Sequence, residues 1–99
     1  MAKRQPFVVQ MAGFAVPVRW EPLADSQGEW RPDPGEIVLD DALTDGQAEE
    51  VLMHECIHAA AGLHGWNLPE TKVRPFSLTL HQMLAGAIDA RRLWRKRKR

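Results

Sequence analysis

His54, Glu55 and His58 stand in the order H-E-x-x-H, with Cys56 and Ile57 between them. On a helix, residues four apart share a face, so both imidazoles can reach one tetrahedral divalent cation, and zinc suits this donor type and spacing. A glutamate beside the first histidine is then placed to hold a water at the ion and take its proton, which makes Glu55 the candidate general base. The plainer alternative is two histidines hydrogen-bonded to backbone or solvent, which leaves Glu55 an unexplained charge on a mostly apolar helix. Catalytic zinc usually has three protein ligands and an open fourth position. Three residues are candidates for the third: Glu70, twelve beyond His58; His64, six beyond it and just past a glycine; and His81, farther along.

The elements that must position these groups are readable from pattern. Thr44 followed by Gln47 is a capping-box pair, and Leu43 can pack on Ala48 as a hydrophobic staple. Val51, Leu52, Met53, Ile57, Ala59, Ala60 and Leu63 make the next segment apolar on most sides, which predicts a largely buried helix over 45–63, stopped by Gly62 and Gly65. After a loop from His64 to Pro69, Phe76, Leu80, Met83, Leu84, Ala87, Ile88 and Trp94 recur at three- and four-residue spacing. They predict an amphipathic helix running to about residue 95, with Pro75 in its first turn. Upstream, Phe14, Val16, Val18 and Trp20 alternate as in a strand, and Pro17 in the opposite phase points to a sheet edge. Residues 21–35, with three prolines and two glycines, read as loop and turn, and Ile37-Val38-Leu39 reads as a second strand. The order implies an α+β domain: a short antiparallel sheet packed on the H-E-x-x-H helix and on a second, long C-terminal helix.

Ninety-nine residues make one small domain with a modest core, which a bound metal would help to stabilise. A hydrophobic share of 44% with 26% charged residues is that of an ordinary soluble globular chain, and no apolar run approaches the roughly 18 residues of a membrane span. Lys3 and Arg4 before an apolar stretch look like a secretory leader, but Gln10 and Pro17 interrupt it and no small-residue cleavage site follows, so a strand is expected there. The single cysteine, Cys56, forms no internal disulfide and suits the cytoplasm; inside the motif it should point away from the metal as an inert thiol.

The net charge of zero hides an asymmetry. Residues 91–99 carry seven basic side chains and no acid, whereas residues 1–90 carry six basic and thirteen acidic ones, a net of −7. The chain therefore divides into a domain over 1–90 and a basic tail over 91–99. The tail suits the C-terminal dipole of a solubilising helix end; contact with nucleic acid or an acidic partner is the competing role. Trp20, Trp30, Trp66 and Trp94 read as core or edge of core, with Trp66 also placed to line a substrate pocket.

Beyond the motif, Glu70-x-x-Val73-x-x-Phe76-Ser77-x-x-Leu80 resembles the E-x-x-A-x-x-F-A-x-x-L signature of the ImmA/IrrE-type metallopeptidases, which occur on phages and mobile elements. The chain is more similar still to very small phage-encoded H-E-x-x-H proteins. The matching features are Gly35, Ile37-Val38-Leu39, Leu43, the run Leu52 to Ala59, Leu68-Pro69-Glu70, Val73 and Leu80 to Leu84, so the resemblance spans about residues 28–84. It implies a minimal zincin-like domain in a bacterial host cell, a protein or peptide substrate, zinc held by His54, His58 and Glu70, and Glu55 as base. Pro75 interrupts the signature and disfavours helix at Arg74, which would leave Glu70 on a turn. The chain has no tyrosine, so an oxyanion could be met only by His64, His81 or Arg74. The spacing of His54, His58, Gly62 and His64 is also similar to metzincins and related proteases, where a third histidine returns to the metal, although Ala61 sits where metzincins have glycine. A non-catalytic zinc module or phage regulator that binds a partner is the alternative to an enzyme.

Overall fold

The capping box at Thr44 forms. The Thr44 hydroxyl accepts from the Gln47 N–H at 3.2 Å, and the Gln47 carboxamide accepts from the Thr44 N–H at 2.9 Å, which starts helix α1 (Asp45–Leu63). At its other end Gly65 takes φ 71; its N–H bonds the Gly62 carbonyl and the Trp66 N–H bonds the Ala61 carbonyl, a Schellman closure that only a left-handed residue at Gly65 permits. Gly62 lies inside the helix, where a Cβ would come within 2.9 Å of the Trp30 indole nitrogen.

The computed structural model describes the backbone of residues 4–97 and the side chains of residues 4–84. Four strands precede α1: β1 (Phe7–Met11), β2 (Phe14–Glu21), β3 (Gly28–Arg31) and β4 (Glu36–Asp40); helix α2 (Glu70–Arg97) follows it. The strands form one sheet in the order β1-β2-β4-β3. The fold class is α+β, as the element order implied, with a sheet that is mixed: β1/β2 and β3/β4 are antiparallel and β2/β4 is parallel. The parallel pair arises because β3 is inserted between β2 and β4 in sequence but lies outside β4 in space.

Three expectations about individual strands change as well. The N-terminal apolar stretch is a hairpin, turned at Ala12 (φ 50) and Gly13 (φ 79), a two-residue connection with both central φ positive. β2 is an interior strand although it contains Pro17. Counting from the closing pair Met11↔Phe14, Pro17 falls opposite Val8 at a non-hydrogen-bonded pair, and the β4 ladder begins only at Val18, so the missing N–H costs no ladder bond. Residues 28–31, read as loop, form β3; they pair with β4 through Gly28↔Leu39 to Arg31↔Glu36.

Period-2 alternation decides the faces. Val16, Val18, Ile37 and Leu39 point to one side, fully buried against Ala59 of α1. The other face carries Arg19, Glu21, Glu29, Arg31 and Glu36 in a continuous ion-pair network, and Val38 on that face is fully buried. Within it the Arg31 guanidinium, then that of Arg19, holds Glu21 below the usual carboxylate range, and Arg19 does the same for Glu36.

Helix α2 begins at Glu70, not near Pro75. The Lys72 and Val73 N–H groups bond the Pro69 carbonyl, which caps the helix, and Val73 is completely buried. Pro75 is then the sixth residue, and its ring removes only the bond to Thr71. The basic segment 91–99 belongs to this helix in backbone as far as Arg97; its side chains lie outside the described residues. Among the described residues, no helix is long and apolar enough to cross a membrane.

Candidate metal centre

Because α1 is helical throughout, His54 and His58 fall on one face with their Nε2 atoms 3.3 Å apart. Because α2 starts at Glu70, that carboxylate faces both rings: Oε1 lies 2.6 Å from His54 Nε2 and Oε2 lies 2.7 Å from His58 Nε2. The ligand atoms of the three residues lie within 4.8 Å of one another. Two donors about 2.1 Å from one tetrahedral zinc stand roughly 3.4 Å apart, so the histidine pair already has the required spacing. Glu70 is closer than that, and its exposed side chain on the first turn of α2 is free to draw back. Two imidazole nitrogens and one carboxylate are a recognised set for catalytic zinc, so the residues present fit the ion.

Glu55 is 8% exposed, one of two buried polar residues among the described residues, with Ser77. Burial pushes its carboxyl above the usual carboxylate range; the neighbouring His54 and His58 and the Trp30 backbone N–H act against that rise, while the Glu70 charge adds to it. It lies beside the histidines against β3, where a Cβ on Gly28 would come within 3.1 Å of Glu55 Cγ and 2.6 Å of Val51 Cγ1. Gly28 thus lets the strand approach the helix at the base.

His54, Glu55, Glu70, Gly28 and Val51 line an open cavity of about 330 Å³ between α1, α2 and the end of β3, bounded also by Gln27, Glu50, Arg74, Ser77 and Leu78. Of the candidates for oxyanion stabilisation, Arg74 is on this wall, four residues past Glu70 and so on the same helix face. His81 is not: it meets Glu49 at 3.4 Å and lines a separate apolar cavity with Val9, Leu52, Met53 and Cys56. His64 is not with the other ligand candidates either. It caps α1 and stacks on Trp66, with ring centroids 4.7 Å apart, and Trp66 is exposed and does not line the cavity. The Cys56 thiol opens on the far side from the histidines, where burial, aided by the Glu55 charge, pushes it up to about 11, in keeping with an inert thiol.

Sequence reasoning missed Gly28, Glu50, Ser77 and Leu78 as wall residues. Glu50 carried a signal, being four residues ahead of His54 on a helix already delimited. Gly28 carried none, because its strand was hidden among turn-forming residues. Comparison with protein family models, with curated proteins and with solved structures finds no match to this chain.

Proposed function

We propose that the chain is a mononuclear zinc hydrolase of the metallopeptidase type. His54, His58 and Glu70 would hold the ion. Zinc in such a site lowers the pKa of a water to about 7 and polarises the substrate carbonyl. Glu55, buried beside the histidines, would serve as the general base, taking up a proton there and returning it to the leaving amine. Arg74 supplies the positive charge that faces the developing oxyanion, the role that a tyrosine has in related enzymes. A peptide is the substrate that the walls favour, since β3 is a sheet edge with one unpaired side and ends at the cavity, where an extended chain can add as a further strand. The resemblance to small phage and mobile-element proteins suggests that such a substrate is met in the cytoplasm of a bacterial host.

The observation that carries this reading is the convergence of two Nε2 atoms and both oxygens of one carboxylate beside a buried glutamate. Elemental analysis tests it: wild type and His64→Ala should hold one zinc per chain, and Glu70→Ala should lose most of it. Glu55→Gln should keep both zinc and fold while cleavage of a casein substrate falls by about two orders of magnitude or more. Full zinc content in Glu70→Ala would remove the proposed ligand set, and undiminished cleavage by Glu55→Gln would remove the base.

A further inference from the structure

The metal-site cavity has a second end. Helical rise puts Glu50 about 6 Å from His54 along α1 and Leu78 roughly 12 Å from Glu70 along α2. Contacts between the helices run from Glu70 at His58 to His81 at Glu49, so the two helices are antiparallel and Glu50 and Leu78 meet at the same end, away from the proposed ligands. Arg74, only one turn beyond Glu70, stays at the metal end. Three carboxylates line the cavity. Glu70 faces the histidines and Glu55 is buried beside them, whereas Glu50 is exposed and forms no ion pair or hydrogen bond among the described residues. Val51 and Leu78 supply apolar wall next to it.

A cavity with apolar wall at Val51 and Leu78 that leads from a reaction centre to an unpaired carboxylate matches a side chain with an aliphatic stem and a cationic head. Resting on the zinc-peptidase reading, the geometry points to Glu50 as a specificity residue that selects a lysine or arginine side chain next to the bond attacked. The stem lies along Val51 and Leu78, and the head pairs with the Glu50 carboxylate at the wet end of the cavity. Arg74 reinforces the choice of register, because its charge repels the same head from the metal end.

Binding of N-acetyl amino-acid hydroxamates, which chelate zinc, tests the pocket without any need for turnover. Isothermal titration of the zinc-loaded full chain should show the lysine hydroxamate binding about fivefold more tightly than the norleucine one, the scale of a solvent-facing ion pair, and the glutamate one more weakly than either. The lysine preference should shrink in 0.5 M salt. Glu50→Gln should equalise lysine and norleucine, and Glu50→Lys should reverse the order in favour of glutamate, both with zinc content unchanged. Equal binding of lysine and norleucine by the zinc-loaded wild type, or a preference that survives Glu50→Gln, overturns the assignment of Glu50 and leaves the zinc reading standing. A chain that takes up no zinc overturns both.

Discussion

Each residue at the candidate metal centre sits where two demands meet, and Gly28 shows this most sharply. Glu55 is carried into a buried position by the helix that holds the two histidines, and β3 must pass close enough to shield it from water. Only a residue without a side chain can do so, since a Cβ there would stand 2.6 Å from Val51 Cγ1 and 3.2 Å from Leu39 Cδ2. Gly28→Ala is therefore expected to destabilise the domain by about 1–3 kcal/mol, the usual range for overpacking, measured by urea denaturation. Trimming the opposed side chain should restore part of that loss, so Gly28→Ala with Val51→Ala should be less destabilised than the sum of the two single variants. Strict additivity would mean that the strand does not press on the helix here.

At the scale of elements, the sequence was legible wherever a pattern was local. The limits of α1 follow from Thr44, Gln47 and Gly65, because caps are read by neighbours within a few residues. The candidate ligands His54 and His58, and Glu55, follow from the same helix. What lay hidden depended on partners distant in sequence. β3 is four residues, Gly28-Glu29-Trp30-Arg31, with no apolar alternation to announce it; it exists because β4 offers a ladder and because Trp30 packs over Gly62 of α1. Pro17 argued for an edge, and only the register shows that its missing donor falls between ladder bonds. Pro75 argued for a helix start, but burial of Val73 and the cap from Pro69 hold a further turn ahead of it, and that turn brings Glu70 to the histidines. The hairpin at Ala12-Gly13 lacked the asparagine or aspartate that usually signals such a turn. Ala12 holds a left-handed conformation that costs an L-residue roughly 1–2 kcal/mol. Ala12→Asn is expected to raise stability by about 0.5–1 kcal/mol with no effect at the metal centre, as read from the urea midpoint at unchanged slope.

The whole molecule joins a thin core to a site built between its two helices. Among the described residues six large side chains are fully buried, five of them in the sheet and the sixth, Val73, on α2. On the proposed reading, an ion between His54 and His58 on α1 and Glu70 on α2 ties together elements that are otherwise held by few buried groups. Linkage then makes the stability of the entire domain depend on zinc, since the ion binds the folded arrangement and not the open chain. Free zinc at a hundred times its dissociation constant contributes about 2.7 kcal/mol. In a domain of this size each kcal/mol moves the melting temperature by roughly 4–8 °C, so a rise of about 10–20 °C over the chelated protein is expected. His64→Ala, which alters a residue stacked on Trp66 away from the ligands, should keep the whole of that rise. Glu70→Ala should keep only a small part of it, because two histidines on one helix no longer bridge to α2. Calorimetric scans of the three proteins with zinc and with a chelator decide the matter: coincident melting curves for the wild type in the two conditions would show that no ion joins the helices.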